Sequence, residues 1–260
     1  IWPITFYETG GIEKVFDVLI ENQITDIFLL VKGEAGFSLF PSDYTIKDHY
    51  EKLLKESDCS DEKEKIRKII NYFSDESLLE KIIENSHRHG MKIHAWFIIS
   101  GDRNFVENNP GSEVVRIPNP ETNKYQFPLI DRGHVNLAYP PYKKYIFSQM
   151  LKSLEYPFDG LMLDKIRYTN LVYTYGDFHL SKALRSGINI DKVIDNAIET
   201  VYDDSNENSM FIKYRDGDWD VNEWIKIKKN DIEEYVKECR KITNERNIEL
   251  TVSFMPEGAY

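Results

Sequence analysis

Short apolar runs without polar alternation divide this chain into repeating units. Residues 26–32 read DIFLLVK and residues 92–99 read KIHAWFII, and residues 161–163 form a third such run. Unbroken apolar runs are typical of parallel strands that are buried on both faces. Residues 248–254 (IELTVSF) predict a further strand. Residues 1–6 also resemble a strand, which would be the first along the chain, so the pattern predicts five strands.

Between these strands the apolar positions recur at the spacing of an amphipathic helix. Gly90 is a natural stop for one helix, and Pro140–Pro141 suits the first turn of another. The helical pattern covers residues 12–22, 76–89, 142–154 and 221–244, with two more charged helical patterns around Tyr50 and Ile66. Long insertions follow the strands, at residues 33–74, 100–136 and 169–222, whereas the returns from helix to strand are short.

Alternating strands and helices predict a parallel sheet, which leaves two architectures: a (β/α)8 TIM-type barrel or an open doubly wound sheet. In a barrel, the long insertions would all lie on the rim above the carboxyl ends of the strands. No Gly-x-Gly-x-x-Gly turn follows a strand, which disfavours the nucleotide-binding open sheet. We predict one barrel domain over residues 1–260. Because a closed barrel has eight strands, we expect it to be incomplete at the C-terminus, as a fragment of a longer chain.

Composition narrows the possible partners. The 260 residues are 41% hydrophobic and 30% charged, as in a soluble globular protein, and the net charge of -11 argues against a nucleic-acid-binding surface. No apolar run approaches the ~20 residues that span a bilayer. Sixteen Tyr, fourteen Phe and four Trp weakly favour a carbohydrate ligand, because aromatic rings stack on sugars. The sequence leaves the oligomeric state open.

Two further features bear on cellular context. Cys59 and Cys239 show no metal or redox spacing, and we expect no disulfide between them. The chain begins at Ile1, so we expect a mature or excised piece whose targeting segment is not visible. Residue patterns alone therefore leave the localisation unknown.

The segment from Phe158 to Tyr168 carries the strongest chemical signal. Asp159-Gly160 predicts a turn, and the apolar run after it predicts a buried strand. Asp164 lies where that strand would end. In a (β/α) barrel the chemistry is carried out at this end of the strands. A carboxylate there, followed closely by Arg167, marks the best candidate active site.

Several motifs together resemble the glycosyl-hydrolase-like (β/α) barrels of the bacterial YngK-like proteins, distant relatives of the α-amylase superfamily. The resemblance rests on HGMKIHAWF at residues 89–97, VNLAYP at residues 135–140 and FDGLMLDKIRY at residues 158–168. It continues with Trp224, the helix after it, and the TVS of residues 251–253. The order and approximate spacing match over most of the chain.

This resemblance implies a glycoside hydrolase without a cofactor, acting on a poly- or oligosaccharide as its partner. It also suggests a secreted or cell-surface lipoprotein. Two carboxyl groups would flank the scissile bond, with Asp164 as nucleophile and Glu257 as acid/base. Their carboxyls would lie ~5–5.5 Å apart for retention, or ~6.5–9.5 Å apart for inversion. The alternatives are an Asp164 that only pairs with Arg167 or Lys165, and a Glu257 that is a solvated turn residue.

Four positions depart from the family pattern. Lys165 replaces a usual second carboxylate, Thr169 replaces a proline, and Lys228 stands where an arginine is common. Met162 occupies the place of an arginine in true α-amylases, so amylase-like starch hydrolysis is not implied. These departures keep two other functions open. One is a carbohydrate-binding barrel without catalysis, and the other is a lyase or aldolase that uses Lys165 as an imine-forming amine.

Four candidate substrate-binding residues lie on the predicted strands or directly after them. Arg167 could clamp a sugar hydroxyl or a substrate carboxylate, or instead hold Asp164 as its ion-pair partner. Tyr168 could stack on the substrate or donate a hydrogen bond to it. Trp96 and His94 share one face of their strand. Trp96 suits a sugar platform, and His94 suits either a ligand contact or a hydrogen-bonded core position.

Other candidates lie nearby in the sequence. Asn136 and Tyr139 precede a helix and could reach the site, although Asn136 equally suits a turn. Lys32 and Glu34 could bind substrate or form an ion pair at the start of a loop. Asp218 is a reserve catalytic carboxylate, with Arg215 and Trp219 beside it.

The two histidines His87 and His89 do not predict a metal site. Positions two apart on a helix point in different directions, and no carboxylate pattern accompanies them. They suit the end of a helix, where the dipole favours cations. We therefore expect no metal.

Overall fold

The computed structural model describes residues 1–115, 133–168, 171 and 173–253, together with the backbone of residues 118–119 and 124–125. Four parallel strands form the main sheet, in the order β1-β2-β5-β6. These strands are β1 (Asp26–Lys32), β2 (Lys92–Ile98), β5 (Gly160–Asp164) and β6 (Glu249–Val252). A separate antiparallel pair joins β3 (Pro118–Asn119) to β4 (Lys124–Tyr125). The prediction of an α/β fold with a parallel sheet is confirmed.

Helices fill the chain between the strands. The first half contains α1 (Pro3–Thr9), α2 (Ile12–Glu21), α3 (Ile46–Glu56), α4 (Ser60–Tyr72), α5 (Leu78–Arg88) and α6 (Arg103–Asn108). The second half contains α7 (Pro140–Ser153), α8 (Asp177–Arg185), α9 (Ile190–Tyr202), α10 (Met210–Arg215) and α11 (Trp219–Arg246). Among the described residues, no helix combines the length and apolar character needed to cross a bilayer.

The predicted first strand is wrong for most of its length. Residues 3–9 form helix α1, with Pro3 in the first turn, where its fixed φ and missing N–H suit a helix. Ile1 alone lies beside β1 as a strand residue would. Its ammonium donates to the carbonyl oxygen of Phe28 at 2.5 Å, and its carbonyl oxygen accepts from the Leu30 amide at 3.0 Å.

The sheet has two unlike faces. Leu29, Ala95, Phe97 and Leu161 point to one face, which is buried in a core shared with helices α5, α7 and α11. The opposite face is only half-buried at Phe28, Trp96, Met162, Asp164 and Thr251. Cross-strand pairing aligns Trp96 with Met162 and Ile98 with Asp164, so this second face leads to the carboxyl end of β5.

The insertions form structure of their own. The first holds α3 and α4 as predicted, and the loop of residues 100–136 contains the short helix α6. The third insertion folds into α8, α9 and α10, which bury a second core around Tyr175, Met210 and Trp224. Helix α11 spans 28 residues and connects the two cores, because Trp224 lies in the second core and Tyr235 in the first.

Candidate functional site

Asp164 lies at the carboxyl end of β5, where the neighbouring strands also end. Its Oδ2 accepts a hydrogen bond from Nε1 of Trp96 at 3.1 Å, and its Oδ1 accepts one from the Lys165 amide at 2.8 Å. Within the described part of the chain, no lysine or arginine forms an ion pair with this half-buried carboxylate. Both oxygens are therefore oriented by neutral N–H donors, and the charge stays available to a ligand.

Trp96 is half-buried on β2, and its ring meets Trp2 edge-on, with the ring centroids 6.2 Å apart. Trp2 is 48% exposed. Trp96 thus links Asp164 to an aromatic surface at the start of the chain. The structure brings the predicted Trp96 and Asp164 into direct contact, although a role for Trp96 as a sugar platform stays a prediction.

A second charged group lies beside Asp164. Lys165 adopts a left-handed backbone conformation with φ of 50°, and its Nζ lies 2.7 Å from Oε1 of Glu34. His134 approaches the same oxygen at 3.8 Å. The neighbouring His134 imidazole and Lys165 ammonium, opposed by partial burial, lower the pKa of Glu34 to about 2. Glu34 is therefore ionised at neutral pH.

The pairing of Lys165 bears on the aldolase alternative. An amine that forms an imine must be desolvated and uncharged. Lys165 is instead one-third exposed and contacts the carboxylate of Glu34. This environment disfavours imine chemistry at Lys165.

Next to this ion pair the structure contains an open cleft of about 470 Å³. Charged and aromatic side chains line it together, so it offers both polar contacts and ring stacking to a ligand. The lining includes Trp2, Phe37, Tyr50, Glu34, Arg103 and Lys165. Two lining residues connect the cleft to Asp164: Lys165 follows it in the chain, and Trp2 packs against its hydrogen-bond donor Trp96. We therefore treat the cleft and Asp164 as one candidate site.

Arg167 lies at the same end of the sheet, and its backbone amide donates to the Lys165 carbonyl oxygen at 2.9 Å. Among the residues that the structure describes, its guanidinium contacts no carboxylate. The geometry therefore does not support the alternative in which Arg167 holds Asp164 by an ion pair. A contact between Arg167 and substrate stays a prediction.

Tyr168 does not present its ring to a ligand, because it is only 9% exposed. Its hydroxyl donates to Oδ2 of Asp231 at 3.1 Å and lies 3.2 Å from Nε2 of His179. Nε2 of His179 lies 2.9 Å from Oδ2 of Asp231, and Nζ of Lys182 lies 2.5 Å from Oδ1 of Asp231. We call these four residues the Tyr168 network. It anchors the loop after β5, and this buried environment favours a structural role for Tyr168 over the predicted ligand contact.

Two predicted contacts lie below the rim. Lys32 and Asp102 are both fully buried and form an ion pair of 2.6 Å, while Asp102 also accepts from the Phe105 amide at 2.8 Å and so caps α6. Lys32 therefore holds β1 to α6 and is not placed to contact a ligand. His94 is 1% exposed and stacks on Phe28, which fits the core interpretation.

Asn136 and Tyr139 shape the start of α7. Asn136 is buried, and its Oδ1 accepts from the Ala138 amide at 2.9 Å, as in a turn. Tyr139 is half-buried and packs its ring edge against Phe178 at 5.6 Å and Phe105 at 6.4 Å. For Asn136 the structure fits the turn interpretation, and Tyr139 lies in an aromatic contact.

Glu257 and Asp218 are the two other candidates for a catalytic carboxylate. Glu257 lies outside the described residues. Asp218 caps α11 by accepting from the Val221 amide at 3.2 Å, and it pairs with Lys192 at 2.6 Å. At 1.5 Å per residue, Asp218 lies roughly 20 Å along α11 from Asp231 of the Tyr168 network. Its contacts make it part of the helical insertion, apart from the site at Asp164.

Sequence reasoning named Glu34 and Lys165 but missed the contact between them, and it missed the other charged and aromatic residues near the cleft. Glu34 and Lys165 follow β1 and β5, and carboxyl ends of parallel strands meet at one edge of a sheet, so their proximity could have been predicted. Arg103 and His134 lie in the long loop, which carries no such signal. Trp2 was hidden because residues 1–6 resemble a strand.

A parallel sheet covered by helices, with a carboxylate and a polar aromatic cleft at the carboxyl ends of its strands, defines an α/β protein with its candidate site at the strand ends. The sequence profile of the family described as glycosyl hydrolase-like 10 matches residues 3–260, and the chain belongs to this family. The family resemblance deduced from the motifs is thus confirmed.

Solved structures give more distant similarities. A hypothetical protein from Ruminiclostridium thermocellum ATCC 27405 is 11% identical with a TM-score of 0.45, covering 72% of this chain and 82% of that one. Alpha-L-fucosidase isoenzyme 2 from Paenibacillus thiaminolyticus is 16% identical with a TM-score of 0.47, covering 79% of this chain and 26% of the fucosidase. Among curated proteins, none matches the chain.

Proposed function

We propose that this protein is a glycoside hydrolase that cleaves a poly- or oligosaccharide with Asp164 as a catalytic carboxylate. The observation that carries the proposal is the environment of Asp164, whose two oxygens accept hydrogen bonds from Trp96 and the Lys165 amide without an ion pair to a described cation. A carboxylate nucleophile must be held in a fixed orientation and remain accessible to the anomeric carbon, and this environment supports both. Membership of the glycosyl hydrolase-like 10 family supports the same reaction class.

In the proposed retaining reaction, an Asp164 oxygen attacks the anomeric carbon while the bond to the leaving oxygen breaks. A carboxylic acid protonates that leaving oxygen, and then, as carboxylate, takes a proton from the water that releases the sugar. We assign this acid/base role to Glu257. Glu34 is unsuited to it, because a group with a pKa of about 2 holds no proton to donate at neutral pH.

Substrate binding is assigned to the cleft beside Asp164. Trp2 offers an exposed ring, and Trp96 lies between Trp2 and Asp164. Arg167 offers a guanidinium without a carboxylate partner among the described residues. We also propose that the four parallel strands belong to a (β/α)8 barrel. The half-buried second face, with Phe28 and Met162, supports this, because further strands would cover it.

The test is reducing-end release from a panel of bacterial and plant glycans by wild-type protein and by Asp164→Asn. The substitution preserves shape and removes the nucleophilic charge. We expect release to fall at least ~100-fold, equivalent to about 2.7 kcal/mol of transition-state stabilisation. The matched control is Asp216→Asn, an exposed carboxylate in the insertion, which should leave release unchanged. Unimpaired release by Asp164→Asn would refute the assignment.

A second candidate is a carbohydrate-binding protein without catalysis. Lys165 favours it, because a lysine paired with Glu34 occupies the position where the family usually carries another carboxylate. Glycan binding that both proteins retain, without release from any glycan, would support this function.

A further inference from the structure

A second cluster of chemically active side chains lies at the end of the sheet opposite to Asp164. Asp26 begins β1, Glu249 begins β6, and His94 lies on β2 at the same level. Each offers one ligand atom, and these three atoms lie within 4.8 Å of one another. We propose that Asp26, His94 and Glu249 bind a divalent transition-metal ion of the Zn²⁺ class.

Gly160 explains how side chains from separated strands converge. It lies on β5 and pairs with His94 on one side and with Glu249 on the other. A Cβ atom at this position would lie 2.2 Å from Nδ1 of His94 and 3.0 Å from the Glu249 carbonyl oxygen. Any other residue would therefore fill the space over β5, and the glycine lets the imidazole extend across it.

The imidazole is an unusually placed ligand candidate. His94 is only 1% exposed, and its Nδ1 has no hydrogen-bond partner among the described residues. Its Nε2 lies 3.3 Å from Oδ1 of Asp26, longer than the ~2.7–2.9 Å of a charge-assisted hydrogen bond. Buried polar nitrogens are rarely left without a partner. A metal ion at either nitrogen would use a lone pair that the protein leaves weakly engaged.

The donor set determines the metal class. One imidazole nitrogen with two carboxylates is a ligand combination of Zn²⁺ and similar transition ions, with bonds of ~2.0–2.2 Å. Asp26 and Glu249 are 42% and 51% exposed in their side chains, so their carboxylates can close in on an ion bound to the fixed imidazole. The competitor is Lys92, whose ammonium pairs with Glu249.

Such an ion would hold together the starts of three strands. β1 and β6 are the two outer strands of the four-stranded order, and His94 lies on the strand between β1 and β5. Binding to the folded state alone raises stability by mass action, so thermal stability should increase with metal concentration. This readout is independent of glycan cleavage and of the proposed active site.

The experiment is calorimetric titration with ZnCl2 at pH 7, paired with the absorption spectrum of the Co²⁺ complex. All proteins carry Cys59→Ser, because the exposed thiol is itself a zinc ligand. We expect one ion per chain in the parent. Asp26→Asn combined with Glu249→Gln should weaken binding at least ~100-fold, and Lys92→Met should strengthen it by removing the competing ammonium.

The matched control is Asp75→Asn combined with Glu107→Gln, which neutralises two exposed carboxylates that also pair with lysines. It should bind as the parent does. The cluster variants change exposed side chains and should fold, which circular dichroism can check. Absence of stoichiometric binding in the parent, or binding that survives the Asp26/Glu249 double substitution, would overturn the proposal.

Discussion

At the scale of single residues, the site depends on hydrogen bonds that orient charge. Trp96 contributes the donor to Asp164, and only its Nε1 is needed for this contact. Phenylalanine would keep the ring and its packing against Trp2 while removing the donor. The observed role of Trp96 as an orienting donor can therefore be tested separately from its predicted role as a sugar platform.

For Trp96→Phe we expect kcat to fall by about tenfold, or roughly 1.4 kcal/mol, because one hydrogen bond that orients Asp164 is lost. KM should change much less, since the ring remains. Steady-state kinetics on a cleaved glycan measures both values. Trp219→Phe is the control, because Trp219 is 56% exposed on the helical insertion. An increase in KM alone would indicate a platform instead.

Glu34 should make stability depend on pH. Its pKa is lowered from 4.5 to about 2, so its ionised form stabilises the fold above pH 4.5, and this contribution is lost as pH falls toward 2. Glu34→Gln should therefore reduce stability at neutral pH by up to about 1 kcal/mol, a value discounted for partial exposure. The difference from wild type should shrink as pH falls through this window.

Urea unfolding at a series of pH values measures that difference. Glu207→Gln serves as the control, because this exposed glutamate has no ion pair among the described residues. Parallel stability curves for wild type and Glu34→Gln would show that His134 and Lys165 do not stabilise the ionised carboxylate.

At the scale of secondary-structure elements, the buried ion pair of Lys32 and Asp102 joins the end of β1 to the start of α6. Two charges that are fully buried need each other, because either one alone would remain desolvated and unpaired. The pair therefore holds the start of α6, where Arg103 lines the cleft.

Lys32→Met and Asp102→Asn should each destabilise the protein by about 3–5 kcal/mol, because each leaves one charge buried alone. Asparagine can still cap α6, so the second substitution isolates the charge effect. The double substitution should cost much less than the sum of the two. Urea unfolding of the four proteins gives the coupling free energy, and additive costs would contradict this account.

The sequence predicts the elements better than their contacts. Three strands are visible as unbroken apolar runs and a fourth as the segment 248–254, and Asp164 is recognisable because it directly follows one of these runs. Helix α1 was missed because its apolar residues resemble a strand, although Pro3 signals a helix start. The contact between Glu34 and Lys165 joins positions 131 residues apart, and that between Tyr168 and Asp231 joins positions 63 apart. Local periodicity carries no information on such pairs.

At the scale of the whole molecule, two cores share one long helix. α11 contributes Trp224 to the core of the insertion and Cys239 to the core beneath the sheet. The buried Asp231 lies between these positions on the same helix and accepts the hydroxyl of Tyr168. The insertion and the loop after β5 are therefore parts of one packed unit.

The Tyr168 network has a consequence for protein engineering. The loop that carries Arg167 is fastened to α8 through His179 and to α11 through Asp231. Exchanging the helical insertion for that of a relative would therefore also replace the residues of α8 that hold the loop after β5. Asp231 lies on α11 outside this insertion, so a chimera would keep the anchor of this loop only if the donor segment supplied a partner for Tyr168 and Asp231 at the place of His179.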